Sequence, residues 1–330
     1  MNTGVRRLTS FALLMSVIPM TATSSNTAIE YPRKPITLII GGPPGAGTDI
    51  LTRRVAERLE PILGQRVVIE YRLGASGNLA AMAVAHAEPD GHTLLIGTRS
   101  STLHKTMYPH LKYDFVQDLT PVAMVARMPI GILMGNHVPA KNIADFVRMA
   151  RAEPGRFSAA TLGVGTSDHL VSVLLRDAAE IQWQHVPYVE VSRALTDVVG
   201  GRVDLLITQL SGGMAYINAG ELRALAVSSA ARVAALPGVP TVAEEGYPQV
   251  SADEWFAAIA PAKTPPDIIK KLNHAFNQAL TDKTLREEVA TMGYVLSSSD
   301  NTPDMLRPFL AEDKLRWTKV LRDHQIYGDK

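Results

Sequence analysis

Residues 35–59, PITLIIGGPPGAGTDILTRRVAERL, decide how the rest of the chain is read. Residues 37–40 form a short apolar, β-branched run of the kind a parallel sheet buries on both faces. Leu51, Val55 and Leu59 recur every four residues, which places one apolar stripe on a helix, with Arg53, Arg54, Glu57 and Arg58 around the remainder. Residues 41–47 between them are too rich in Gly and Pro to be either element. Thr48 or Asp49 is the expected N-cap. A loop that delivers unpaired backbone N–H groups at a helix N-terminus favours an anion. The run Gly42-Pro43-Pro44-Gly45-Ala46-Gly47 looks like the start of a phosphate-binding P-loop, but that motif continues with Lys and then Ser or Thr. Here Thr48-Asp49 follow, so the phosphate-reaching lysine is missing and a carboxylate sits where phosphate oxygens would come close. Nucleotide binding is therefore the weaker reading of this loop.

The chain has 330 residues, enough for two domains. With 33 basic and 32 acidic residues it carries no electrostatic footprint for nucleic acid. It has no cysteine, which excludes disulfides, thiol catalysis and thiolate metal sites. Arg6-Arg7, the apolar residues 11–20 and the small polar residues 21–28 have the layout of a secretory signal peptide, with cleavage after Ala22 or Ala28. The apolar run is short for a membrane span. An exported protein beginning near Ile29 is expected, by either the general or the twin-arginine route.

Outward from the opening stretch, strand and helix alternate. Residues 66–70 and 93–97 read as further strands, and residues 98–101 as a polar loop at the same end of the sheet. Ser76 fails the G-x-S-x-G nucleophile spacing because Asn78 stands where glycine should be. Residues 122–126 and 131–134 flank Met128-Pro129, where a crossover to a second domain is expected. There residues 157–160 lead into TLGVGTSDHL (161–170), a second glycine-rich loop feeding a helix, with Ser167 or Asp168 as cap. Residues 184–188, 203–208 and 222–228 read as strands. Residues 255–260 read as a returning strand, followed by helices from Pro266, near 284–292 and over 303–324. Those helices are expected to pack back on the first domain. Two α/β domains joined twice imply a cleft at the carboxyl ends of the strands, with the two glycine-rich loops facing each other. The nine histidines show no H-x-x-x-H or H-E-x-x-H spacing, so no metal and no cofactor is expected. No nucleophile, base or metal assembles into an enzyme site.

Taken in order, YPRKPITLI (31–39), PPGAGTD (43–49), GASGN (74–78), PDGHTLL (89–95), DLTPVAMVA (118–126), GVGTSDHL (163–170), HVPY (185–188), GGRVD (200–204), GELRALAV (220–227), LPGVPTVAEEGYP (236–248) and TPPDIIKKLN (264–273) resemble the periplasmic substrate-binding receptors of tripartite tricarboxylate transporters, the Bug receptors. The resemblance implies an α/β, two-lobe periplasmic binding protein of the type II-like, Venus-flytrap kind, each lobe a mostly parallel sheet flanked by helices. Its expected division is a signal peptide over 1–28, a first lobe over 29–128 and 254–330, and a second lobe over 129–253. It implies no catalysis, a small organic carboxylate as ligand, integral membrane transporter subunits or a sensor domain as partner, and a monomer. Carried onto this chain, the ligand-binding residues are Gly42, Pro43, Pro44, Gly45, Ala46, Gly47 and Thr48 in the first loop, then Thr98, Ser100 and Ser101. Thr161, Gly163, Val164, Gly165 and Thr166 follow in the second loop, with Tyr188 and Gln209 beyond it. Arg99, a cation in a pocket loop, is the candidate for a second ligand carboxylate. The chain departs from the family at Gly41-Gly42, where Pro-Phe is usual, and at Ala46, Tyr71, Thr161-Leu162 and Val189-Glu190. Loss of that aromatic leaves room, and Leu162 and Val189 add apolar surface. An aromatic or longer apolar carboxylate is therefore expected in place of a small dicarboxylate.

Overall fold

The computed structural model describes residue 1, residues 31–297 and residues 301–328. The leader at residues 11–20 and its cleavage point lie outside the described residues. Pro32–Lys330 form one compact unit. Among the described residues no helix is long and apolar enough to cross a membrane.

The opening stretch folds as its pattern requires. Strand β1 (Ile36–Ile40) leads into α1 (Gly47–Leu63), which buries Leu51, Val55 and Leu59. Burying each of those side chains contributes about 1.5–3 kcal/mol. Strand β2 (Val67–Tyr71), a 3-10 turn at Ala75–Gly77, α2 (Asn78–Ala85) and β3 (Thr93–Gly97) complete a parallel set in the order β2-β1-β3. The chain continues through α3 (Arg99–Met107) and α4 (Phe115–Asp118) into β4 (Leu119–Gly135). Beyond it lie α5 (Ile143–Ala152), β5 (Ser158–Thr161), α6 (Ser167–Ala178), β6 (Gln184–Pro187), α7 (Val191–Val199), β7 (Leu205–Gln209), α8 (Leu210–Asn218) and β8 (Leu222–Val227). The return consists of β9 (Asp253–Pro261), α9 (Pro266–Leu280), α10 (Lys283–Ala290), β10 (Val295–Leu296) and α11 (Pro303–Asp323).

All ten strands join one sheet in the order β2-β1-β3-β9-β4-β7-β5-β6, with β8 and β10 also paired to β4. Its flanks are parallel, because strand-helix-strand units return each strand in the same direction. Its middle is antiparallel, where β9 inserts between β3 and β4 and where β4 meets β7 and β8.

At Met128-Pro129, where a crossover is expected, the chain passes from one sheet half to the other without a break in the strand. Strand β4 runs through this point for 17 residues, all buried except Arg127. It pairs with β9 as far as Pro129↔Asp253 and with β7 from Ile130↔Gln209. Proline cannot donate to a ladder and is confined to edges and irregularities. Pro129 stands where the partner strand changes, and the next residue's N–H goes to the Ser228 hydroxyl at 2.8 Å. The return at β9 crosses beside it, so both passages between the two sheet halves are neighbouring strands.

Helix α11 packs on both halves. Leu306 and Leu310 join a core with Ile39, Leu95 and Trp255. Two turns further along, Trp317 and Leu321 enter a second core with Ile130, Phe146, Leu170 and Leu205. Expected to pack on the first domain, this helix covers part of the second as well.

Candidate functional site

Four helices begin around one cavity. Its wall takes Gly42, Pro43, Ala46 and Thr48 from the start of α1, and Thr98, Ser100 and Ser101 from the start of α3. Thr166, Ser167 and Asp168 come from the start of α6, and Gln209 from the start of α8. Each helix start leaves backbone N–H groups without intrahelical partners and carries a partial positive charge. The arrangement is an anion cradle built mostly from backbone.

The caps differ in detail from the sequence reading. Helix α1 begins one residue before Thr48, with Ala46 as an extended N-cap and no side-chain cap. Asp49 faces back: one carboxylate oxygen accepts the Gly45 N–H (2.8 Å), and the other accepts from the Tyr71 hydroxyl (2.6 Å) and Arg53 Nε (2.8 Å). Gly45 holds φ +79°, a left-handed conformation that glycine adopts without penalty. Asp49 is thus the buckle of the loop and does not face the ligand. The expected polar loop over 98–101 is a helix start, with Thr98 and Ser101 forming a reciprocal capping box. The cap of α6 is Thr166, whose side chain accepts the His169 N–H, in place of Ser167 or Asp168.

Gly163, Val164 and Tyr188 line an adjoining outer chamber, which shares Gly41, Pro43, Ser76, Gly77 and Leu162 with the inner cavity. Leu73, Tyr108 and Val189 give that chamber an apolar side. The Tyr188 hydroxyl itself donates to Asp197 (2.9 Å). Pro44, Gly45, Gly47, Thr161 and Gly165 line neither chamber. Pro44 is exposed, the Gly47 carbonyl accepts from the Tyr294 hydroxyl (2.7 Å), and Thr161 Oγ1 bonds His185 (2.7 Å). Gly165 N–H donates to His169 Nδ1 (3.2 Å), whose ring stacks on His185 with centroids 4.4 Å apart. Burial, reinforced by His185, holds the His169 imidazole down to about 3, so it stays a neutral acceptor.

Arg99 is corrected as a ligand cation. It is 3% exposed and ion-paired to Asp313 at 3.2 Å. It also donates to Ser167 Oγ (3.0 Å) and to the Asp253 carbonyl, and lies 4.6 Å from the Trp317 ring centroid. Asp313 accepts in addition from Trp255 Nε1 (2.9 Å) and Trp317 Nε1 (3.2 Å). A buried guanidinium with this many partners is a structural post behind the cavity.

The sequence reading missed Ser76, Asp168 and Glu254 as lining residues. The GASGN stretch flagged the first, and an acid opening an apolar strand could have flagged the last. Ala75 and Ser76 hold left-handed φ of +46° and +54°, a costly conformation for non-glycine residues. The turn is held by His104 Nε2 on the Ser76 carbonyl (3.0 Å) and by Ser76 Oγ on the Val164 carbonyl (2.8 Å). The last bond ties one sheet half to the other across the cavity. At Gly41 a Cβ would lie 2.5 Å from the Gly77 Cα, so the two backbones meet there only because the position carries no side chain. Glu254 accepts the Arg99 and Trp255 N–H groups at 3.1 and 2.9 Å. Burial raises its carboxyl above the usual range, opposed by Arg99. Asp168 is 2% exposed. Burial first, and Glu254 second, push it well above the ordinary carboxylate range. Its Oδ1 has no hydrogen-bond partner among the described residues. Such an orphaned buried acceptor costs about 1–3 kcal/mol.

Fold and cavity define a binding protein of the periplasmic type, and comparison with known proteins narrows the class. Residues 51–326 match the family model described as the tripartite tricarboxylate transporter family receptor. The protein BugT of Bordetella pertussis is 36% identical over 301 residues, covering 90% of this chain and 91% of BugT. The structure of MatC from Rhodopseudomonas palustris with bound malate superposes with a TM-score of 0.82 at 30% identity, covering 88% of this chain and 100% of that one. The structure of R. palustris Rpa4515 with adipate does so with a TM-score of 0.84 at 32% identity, covering 90% and 99%. The chain belongs to the tripartite tricarboxylate transporter receptor family, the periplasmic solute-binding receptors that include the Bug proteins.

Proposed function

We propose that this receptor closes, as a monomer, on a small carboxylate in the cavity and delivers it to the membrane subunits of a tripartite-type transporter. Residues 29–128 with 254–330 form one lobe in this reading, and residues 129–253 the other. The observation that carries it is the convergence of four helix N-termini on one cavity. Charge-assisted hydrogen bonds to such donors contribute about 1.5–3 kcal/mol each. Three or four of them support micromolar binding once closure and immobilisation are subtracted. Thr48, Thr98, Ser100, Ser101 and Thr166 add hydroxyls to the backbone donors. Malate in MatC and adipate in Rpa4515 are both carboxylates, which agrees with this ligand class. The adjoining outer chamber, with Leu162 at the junction and no aromatic at Gly42, favours a carboxylate with a longer or aromatic body.

A thermal-shift screen tests the proposal, using mature protein that has been unfolded and refolded to strip retained ligand. The panel holds mono-, di- and tricarboxylates, aromatic acids and nucleotides. A ligand present at about a hundredfold over its Kd adds roughly 2.7 kcal/mol of stability, a shift of several degrees. Dose-dependent stabilisation by a carboxylate is expected. Stabilisation by nucleotides alone, or by nothing in the panel, overturns the reading. Tight citrate binding without any aromatic or long-chain acid overturns the preference for a larger body.

A further inference from the structure

The starts of α1 and α8 meet beside the cavity, and the side chain that joins them is Tyr294, between α10 and β10. Tyr294 is outside the cavity wall described above. It is 3% exposed, and its ring centroid lies 6.0 Å from that of Phe256 in β9. The Tyr294 hydroxyl donates to the Gly47 carbonyl (2.7 Å) in the first turn of α1, and it lies 3.2 Å from Ser211 Oγ in the first turn of α8. A phenol has one proton; with that proton on Gly47, the oxygen is free to accept from Ser211. The fit is tight. A Cβ at Gly47 would lie 2.1 Å from Gln209 Oε1 and 3.0 Å from Ser211 Oγ, and a Cβ at Gly293 would lie 3.0 Å from Leu210 Cδ2. Two positions without side chains thus let residues 47 and 293–294 reach the start of α8. In the lobe division proposed above, Tyr294 and Gly47 belong to one lobe and Ser211 to the other. When the lobes part, the bond to Gly47 travels with its lobe and the bond to Ser211 breaks.

We infer that Tyr294 is a positioning residue: its hydroxyl latches the start of α8 to the start of α1 in the closed receptor, and so tightens the hold on a ligand that it never touches. The inference rests on the closing-receptor reading and adds to it a residue that acts from outside the cavity. Apparent affinity is the intrinsic affinity scaled by the fraction of protein in the competent form. A latch that favours the closed form therefore tightens every ligand by the same factor. The hydroxyls of the cavity wall differ in this respect, because their loss weighs unequally on ligands of different shape. The bond from Ser76 Oγ to the Val164 carbonyl (2.8 Å) also crosses between the halves, but Ser76 lines the cavity, where closure and ligand contact are mixed. Only at Tyr294 and Ser211 are the two separable.

The test is calorimetric titration of the stripped, full mature protein with malate, adipate and phenylacetate as probes, beside Tyr294→Phe, Ser211→Ala and the double variant. Each single change is expected to weaken every probe that binds by about three- to tenfold, the worth of one hydrogen bond, and by the same factor for each. The double variant should bind about as well as the weaker single one, because both groups belong to one contact. If Tyr294→Phe also lowers the urea midpoint by freeing the Gly47 carbonyl, Ser211→Ala keeps that bond and carries the same expectation. A second readout needs no ligand. The chain has no cysteine, so Arg72→Cys and Glu190→Cys place spin labels at two exposed sites alone. Their neighbours Leu73 and Val189 line the outer chamber from the two halves, so the distance between the labels reports closure. Tyr294→Phe should shift the unliganded distances to longer values. Unchanged affinity in both single variants overturns the inference and leaves the receptor reading intact. Single effects that multiply in the double variant overturn it too, as do effects that differ from probe to probe, which would mean direct contact with the ligand. Silence from all three probes overturns the carboxylate reading. The label distances then decide the latch by themselves, and an unchanged distribution in Tyr294→Phe overturns it.

Discussion

Asp313 shows how much a single side chain can hold. It lies midway along α11, outside the cavity, and takes hydrogen bonds from Arg99, Trp255 and Trp317. Removing one partner of a buried ion pair leaves the other charge uncompensated, at a cost of about 3–5 kcal/mol. Asp313→Ala is therefore expected to lower the urea midpoint by an amount corresponding to that loss. The double change of Arg99→Leu with Asp313→Leu should cost clearly less than the sum of the single changes. Strict additivity would show that the pair does not act as a unit. The sequence reading assigned Arg99 a possible ligand role because it stood in a polar run beside the glycine-rich loop. Its partner is 214 positions away, and no local pattern announces a pair over that distance. Asp168 was illegible for the opposite reason. The run Thr166-Ser167-Asp168 offers three good caps, and only the backbone geometry shows that Thr166 serves. The first loop was legible because Gly and Pro at 41–47 exclude every regular element.

At the scale of elements, the Ala75–Gly77 turn depends on a buried imidazole. His104 is 1% exposed on α3. Its Nε2 donates to the Ser76 carbonyl, which leaves Nδ1 to accept from the Tyr113 hydroxyl (2.7 Å). Burial lowers its pKa to about 4, with the Ser76 carbonyl opposing. Because the folded value lies below the unfolded one of about 6.5, the unfolded chain takes up the proton first. The stability contributed by neutral His104 is then fully present above pH 6.5 and is lost as the pH falls toward 4. His104→Gln keeps one donor and one acceptor without titrating. The stability it costs at pH 7.5 should shrink by up to roughly 3 kcal/mol as the pH is lowered to 4, read by urea unfolding at a series of pH values. Parallel curves for both proteins would refute this. The capping box of Thr98 and Ser101 could have been read from spacing alone. The polar run around it has no apolar period, and this hid the helix that follows.

At the scale of the whole molecule, the alternation of strand and helix was enough to give an α/β sheet with a returning strand. It could not give the single strand that carries β4 through both halves, because Met128-Pro129 has the local chemistry of a break. Only the change of partner at Pro129, from β9 to β7, makes a proline tolerable there. If the two halves close on a ligand, motion is confined to twisting of β4 and β9 where they run side by side, and α11 must follow on both cores. Hydrogen exchange should accordingly find the amides of residues 126–133 as well protected as the sheet interior, with ligand slowing exchange at residues 74–77 and 163–166. Fast exchange at residues 126–133 would mean that the crossing strands come apart.

The position of β9 also has a consequence in time. Strand β3 needs Ile259 beside Leu95, and β4 needs Ala258 beside Ala123. The first half of the sheet therefore waits for a strand made near the end of synthesis, whereas β5, β6, β7 and β8 have their partners within residues 119–227. Contacts of long sequence separation form late because the loop entropy must be overcome first. The middle of the chain is thus expected to mature before its beginning. During that delay β3 and the first part of β4, buried in the finished protein, stand open as apolar edges. The protein is then most vulnerable to aggregation not when it is shortest but in the interval before residues 253–261 arrive.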